Sequence, residues 1–418
     1  MKIAVFGKTL YSGVMSALLA ECGHDVYWCN IFSSSDAENY HFQDESVTQL
    51  LEQQRQEERL KFCEFSELPL TVDAYIFSFS PAEESLAFEL LTQLQHRPII
   101  HPKLMINAST LGLNGTDRFS RILPDDQWIY LPDTIQEGNA LRSLTQAKQL
   151  TAGCTDPAAQ IRLKEMLRPL FPLEQNFLFM PVLDAEFTKL SISGMLATRI
   201  SYINDLAVVA EKLGIDISHV RQGMAADSRI GASYLYPGAG FGGENFTHDI
   251  QTLANTVTNT GVKSRLLSQV WEINEQQKEL MFQKFWNYYQ GDLQGKRLAI
   301  WGASFKENTT RVQHSPIHVM LKALWAQGVA VALHDPQALN EIRQIYGERP
   351  DLILCENQYQ AVDGAHGLCV LTAWKQYFSL DYTELLKRMT HPLLLDGRNI
   401  YDPEYVKSQG FAYMGVGR

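Results

Sequence analysis

The residues best suited to chemistry lie in one stretch, Asp227-Ser-Arg-Ile-Gly-Ala-Ser-Tyr-Leu-Tyr-Pro-Gly-Ala-Gly-Phe-Gly-Gly-Glu-Asn-Phe-Thr-His-Asp249. Gly238, Gly242 and Gly243 carry no Cβ, so main-chain N–H groups there can approach a ligand's oxygens closely. Just beyond the glycines stands Asn245, whose neutral amide is no nucleophile. Asp249 ends the stretch and reads either as a working carboxylate or as the N-cap of a following helix. Upstream, Lys189 and Ser193 are four residues apart in a helical run, which puts both on one side of that helix. Glu137-Gly138 reads as a second acidic site or as an acidic first helical turn. His248 fits a loop histidine better than a base, and Lys189 also fits a paired structural lysine.

A second glycine turn lies near the N-terminus, Gly7-Lys8-Thr9-Leu10-Tyr11-Ser12-Gly13. It follows an apolar run, Lys2 to Phe6, and precedes a helical pattern through Leu18 to Ala20 that stops at Gly23-His24. Asp25 to Cys29 then reads as another strand, so the chain opens as a βαβ unit with a parallel sheet. In dinucleotide-binding domains such a turn carries G-x-G-x-x-G, letting the backbone meet a pyrophosphate. Here Gly7 is kept, while Thr9 and Ser12 stand at the second and third glycine positions. The acidic residue expected at the end of the second strand is Asn30.

These sites need scaffolds, and the pattern supplies three. Further strands are expected at Ala74–Phe79, Leu104–Asn107 and Trp128–Leu131, with an amphipathic helix in the second half of the polar segment from Ser33 to Glu58. Helical periodicity covers Ala185 to Leu213 and Lys263 to Trp286. A new strand, Lys296 to Gly302, restarts the α/β pattern, followed by a helix over Ile317–Ala326 and a strand at Ala330–His334. Two doubly wound α/β domains separated by helices are the expected architecture, at 1–180 and 289–418 around 181–288.

At 418 residues the chain is long enough for two or three domains. Its 45% hydrophobic and 20% charged content is that of a globular protein. A net charge of −11 argues against non-specific nucleic-acid binding. The opening residues run straight into a strand and no apolar run approaches the roughly 20 residues of a bilayer span, so a cytoplasmic protein without a membrane partner is expected. Six cysteines are scattered without CxxC pairing and indicate neither a metal site nor a disulfide framework.

The long glycine loop resembles the active-site loop of the UDP-glucose/GDP-mannose dehydrogenases, and the resemblance runs through nearly the whole chain. It implies two Rossmann-like domains joined by a helical dimerisation module, NAD as cofactor and a nucleotide sugar as ligand. Gly302-Ala-Ser-Phe-Lys306-Glu-Asn-Thr309 and Asp396-Gly-Arg398-Asn399 resemble two C-terminal motifs whose lysine and arginine meet sugar and nucleotide. The loop residues Tyr234, Gly238, Phe241, Gly242 and Gly243 then wrap the ligand, and Arg229 reaches the sugar of a neighbouring subunit. Lys189 matches the lysine that steadies oxyanion charge, with Ser193 in place of an asparagine beside it. Thr110, Glu137 and Asp249 match groups that serve a bound water. At Asn245 the family carries the cysteine that forms its thioester.

Departures cluster on the cofactor side, where Gly7, Lys8, Thr9, Ser12 and Asn30 form a loosened NAD site or one lost, and Gln313 replaces an arginine. Two functions follow. One is an oxidoreductase that oxidises a nucleotide-sugar alcohol once, without the thiol route. The other is a non-catalytic binding or regulatory subunit, as a homodimer or paired with an active relative. A role in polysaccharide synthesis is what the family implies.

Overall fold

The computed structural model describes residues 1–30, 44–97, 103–262 and 265–418. The chain forms two compact units, Met1–Ile192 and Ser193–Arg418. The first is built on β1 (Lys2–Phe6), β2 (Asp25–Asn30), β3 (Leu60–Glu64), β4 (Ala74–Phe77), β5 (Leu104–Asn107), β6 (Gln127–Tyr130), β7 (Leu150–Gly153) and β8 (Phe177–Met180). Their order is β3-β2-β1-β4-β5-β6-β7-β8, parallel throughout except between β6 and β7. The second unit carries β9 (Arg297–Trp301), β10 (Ala330–His334), β11 (Leu352–Leu354), β12 (Leu368–Val370), β13 (Leu393–Asp396) and β14 (Ala412–Met414). These pair as β11-β10-β9-β12-β13-β14. Both sheets thus contain the doubly wound order, which reverses direction at β1/β4 and at β9/β12.

Residues two apart on a strand share a face, and the central strands are buried on both. Ile3 and Val5 enter one apolar cluster while Ala4 and Phe6 enter another. Leu298 and Ile300 likewise face one cluster in the second unit, and Ala299 and Trp301 the other. This two-sided burial explains why β1, β5 and β10 read plainly as apolar runs. The expected strands ending at Phe79 and Leu131 stop at Phe77 and Tyr130, and β3, β7 and β8 lie outside the pattern read from sequence. β3 lies at the sheet edge, where the exposed Lys61 and Glu64 discourage further pairing.

Between the sheets in sequence come the helices Val182–Leu213, Ile217–Ala226, Glu244–Asn259 and Arg265–Tyr288. The division between the units falls inside the first of them. The expected start of the last, Lys263, lies outside the described residues, as does most of the polar segment before the helix Glu45–Gln56. Among the described residues no helix is long and apolar enough to cross a membrane, and no cluster of His, Cys, Asp or Glu could hold a metal ion.

Candidate functional site

In the first unit the turn after β1 sits at the switch point. Gly7 has φ +106°, and a Cβ there would lie 1.8 Å from the Ser78 carbonyl oxygen that follows β4. Only glycine meets both conditions. Thr9 N-caps the helix Leu10–Glu21: its Oγ1 accepts from the Ser12 N–H at 3.1 Å and lies 2.5 Å from the Ser78 hydroxyl. The buried Ser12 hydroxyl reaches the carbonyls of Gly7 (3.0 Å) and Thr9 (2.7 Å), and Trp28 Nε1 donates to the Gly7 carbonyl at 2.9 Å. Lys8 is half-buried beside them. Asn30 closes β2, but its side chain lies outside the described residues.

Farther along the same sheet edge, Thr110 is buried and its N–H donates to the Phe79 carbonyl at 3.0 Å. The loop beyond it is held by Glu186, whose carboxylate accepts from the N–H groups of Asn114 (2.6 Å) and Thr116 (2.9 Å). Burial pushes the Glu186 carboxyl above its usual pKa, against those hydrogen bonds. Glu137 lies half-buried in a turn ahead of the helix Ala140–Thr145, which begins beyond it, so Glu137 is not that helix's first turn. Lys189 is buried on the helix Val182–Leu213.

The second unit assembles the glycine loop. Asn204 Oδ1 accepts from the Gly238 N–H at 2.9 Å, and Gln277 Nε2 donates to the Gly238 carbonyl at 2.7 Å. Asn274 accepts from the Phe241 N–H at 2.7 Å and donates to its carbonyl at 3.2 Å. All three amides are buried. From the side of the six-stranded sheet, the carbonyls of Gly397 and Gln313 accept from Ala239 and Gly243, each at 2.9 Å. An irregular segment is thereby ordered by side chains from two helices and by backbone from two loops. Gly242 packs directly on the His314 carbonyl.

Arg398 follows β13 and touches this loop, 3.2 Å from the Cβ position of Gly238. Its guanidinium donates to the Leu371 carbonyl at 2.5 Å and the Phe305 carbonyl at 3.3 Å. Burial lowers its pKa from the usual value, opposed by the Glu307 and Asp396 carboxylates. Lys306 follows Phe305 in sequence, with its ammonium 5.7 Å from the Phe305 ring. Asp396 is fully buried, accepts from the Arg398 and Tyr401 N–H groups, and is raised above its usual pKa by that burial. These residues gather at the carboxyl ends of β9, β12 and β13, where open α/β sheets bind ligands.

Other expected residues have plainer places. Phe241 is buried in a cluster with Ala197, Ile250 and Val270, so its ring packs and its backbone faces Asn274. Tyr234 is exposed, with φ +58°. Arg229 projects outward, paired to Asp227 at 2.6 Å. Asn245 stands in the first turn of the helix Glu244–Asn259, half-buried, where a helix N-terminus favours negative charge. Gly243 is the cap of that helix. Asp249 lies inside it, buried, and accepts from the Ser193 hydroxyl at 2.8 Å, which replaces the N-cap alternative.

The sequence reading missed Asn204, Asn274, Gln277 and Glu186, which are polar residues inside helical runs and carry no local signature. It also missed Asp335. That residue directly follows β10, the position of the acidic residue in a dinucleotide fingerprint, and this spacing could have found it.

Two doubly wound sheets with a glycine loop drawn onto the edge of the second define a nucleotide-sugar dehydrogenase architecture. Solved structures share it: a UDP-glucose dehydrogenase from Pyrobaculum islandicum superposes with a TM-score of 0.88 at 24% identity, covering 100% of this chain and 97% of the other. A UDP-D-ManNAc dehydrogenase from Pyrococcus horikoshii gives 0.84 at 18% identity, over 100% and 99%. Residues 183–276 match the central domain of the UDP-glucose/GDP-mannose dehydrogenase family, and residues 299–403 match its UDP binding domain. A UDP-glucose 6-dehydrogenase of Pseudomonas aeruginosa is 36% identical over 290 residues, 69% of this chain and 64% of that protein's length. Another, TuaD of Bacillus subtilis, is 27% identical over 100% of this chain and 93% of its own. The chain belongs to the UDP-glucose/GDP-mannose dehydrogenase family.

Proposed function

We propose that this protein binds a nucleotide sugar through its second unit and does not carry out a thiol-dependent double oxidation. The observation that carries this reading is Asn245 at the helix N-terminus beside the glycine loop. A cysteine in such a first turn would be stabilised as thiolate, whereas an amide offers neither a nucleophile nor a leaving group. The ordered loop and Arg398 supply backbone and guanidinium donors for a nucleotide sugar.

NAD fits the first unit's turn poorly. Thr9 and Ser12 have side chains where the fingerprint has none, and the Thr9 hydroxyl already takes a helix N-terminal N–H that a pyrophosphate would use. A second reading, a single oxidation of a nucleotide-sugar alcohol, is favoured by the buried Asp249–Ser193 pair.

Thermal unfolding with UDP-glucose, with NAD⁺ and with both separates these readings. A site-specific ligand at about 100 times its Kd adds on the order of 2.7 kcal/mol. A shift with UDP-glucose alone, and no UDP-glucuronate from the mixture, is expected. A shift with NAD⁺ turns the case towards single oxidation, and formation of UDP-glucuronate sinks the proposal.

We further propose that the protein acts as a homodimer. Met195, Tyr202, Val209 and Leu213 are 63%, 53%, 50% and 68% exposed and form one stripe of the helix Val182–Leu213. Light scattering should give a dimer for the natural chain and a monomer for Met195→Asp. A monomeric natural chain would refute this.

A further inference from the structure

Cys29 and Cys63 lie outside the candidate site and were read from sequence as unrelated thiols. Cys29 is on β2 and Cys63 on β3, directly opposite each other in the parallel register. Their sulfurs are 3.2 Å apart. Cys29 is buried and Cys63 is half-buried, so one thiol is sheltered and the other can be reached from solvent. Both face the apolar cluster that includes Phe6, Leu68 and Tyr75.

The surroundings divide the two chemically. Hydrogen bonding from Cys29 holds the Cys63 thiol below its usual pKa, with help from Arg97 and against burial and Glu67. Arg97 is itself fixed there, donating to the carbonyls of Phe65 and Leu68 with its guanidinium 5.3 Å from the Phe65 ring. A thiol of this kind is the nucleophilic member of a pair, and its neighbour is the resolving one.

We propose that Cys29 and Cys63 form a reversible redox pair that a peroxide converts to a disulfide. The Cys63 thiolate attacks one peroxide oxygen, the O–O bond breaks, and the departing hydroxide takes a proton to leave as water. This gives a sulfenic acid on Cys63. Cys29 sulfur then attacks the Cys63 sulfur, the S–O bond breaks, and a second water leaves with the Cys29 proton. The two sulfurs lose two electrons in all and the peroxide gains them. The new bond ties edge strand β3 to β2 at the residue before Asn30, so the oxidation state is written into the strand end where a doubly wound domain holds its ligand.

The full chain, reduced and freed of reductant, would be treated with stoichiometric hydrogen peroxide. Remaining thiols would then be alkylated under denaturing conditions and the peptides mapped by mass spectrometry. The proposal expects a dithiothreitol-cleavable peptide joining Cys29 to Cys63, and two fewer alkylated thiols of the six. Cys29→Ser and Cys63→Ser should each abolish the link. The natural chain decides the matter even if either variant folds badly. Three outcomes overturn the proposal: all six thiols remain alkylated, the link joins other cysteines, or Cys63 passes to sulfinic acid while Cys29 stays alkylated.

Discussion

The turns after β1 and β9 occupy the same place in two sheets that share the doubly wound order, yet they are locked by different chemistry. After β1, neutral hydroxyls from Thr9, Ser12 and Ser78 surround Gly7, and Trp28 donates to its carbonyl. After β9, one carboxylate does most of the binding. Asp335 Oδ2 accepts from the Ala303 and Ser304 N–H groups, the Ser304 hydroxyl and Trp374 Nε1, while Oδ1 accepts from Gln337 and Ala338. Thr372 then donates to the Ser304 carbonyl at 2.6 Å. Both turns keep glycine where a Cβ would collide, 1.8 Å from Ser78 at Gly7 and 2.5 Å from Thr372 at Gly302. What differs is whether the turn is held by neutral hydroxyls or by one carboxylate that follows the neighbouring strand. A fingerprint can therefore lose glycines without opening its turn, provided that the new side chains satisfy the backbone.

The comparison is most severely tested at the glycines. Gly7→Ala should cost about 3 kcal/mol more than Gly23→Ala, because both have positive φ but a Cβ at Gly23 meets nothing closer than 3.9 Å. Urea unfolding followed by tryptophan fluorescence measures it, and equal costs would mean the turn after β1 relaxes freely. Next come the locks. Asp335→Asn leaves buried donors facing an amide N–H₂ and should cost about 3 kcal/mol, against about 1 kcal/mol for Thr9→Ala, the ordinary value of a cap. The reverse order in the same unfolding measurement would remove the distinction between charged and neutral locks.

The smallest effect is one of pH. Glu186 has a folded pKa above its unfolded one, so the native chain binds more protons in that window. Its contribution is full below the unfolded pKa and is lost as pH rises through the folded value. Relative to Glu186→Gln, the natural protein should lose stability as pH rises from the ordinary carboxylate range through the raised folded value. A gap that widens with rising pH would show the carboxylate to be stabilised as the anion.

Much of this was legible beforehand. β1, β5 and β10 were readable to the residue because both faces are buried, and the helix Pro316–Ala326 to within one residue of its start. The glycines of the long loop read as room for a ligand's oxygens, and at Gly242 the structure adds a packing reason, the adjacent His314 carbonyl. β8 was not legible, since its residues are only partly buried at a sheet edge. Nor were Asn204, Asn274 and Gln277, because an amide inside a helix reads as surface until something distant in sequence is found against it. The Cys29–Cys63 contact depends on register between strands, which no local pattern encodes.

The bonding of the glycine loop has a consequence for its motion. Loops ordinarily exchange their amide hydrogens with solvent through small local openings. The N–H groups of Gly238, Ala239, Phe241 and Gly243 are each taken by a partner from another element. Releasing them requires the helices to part from the sheet. A segment with no regular secondary structure should therefore hold its hydrogens nearly as long as the strands beside it.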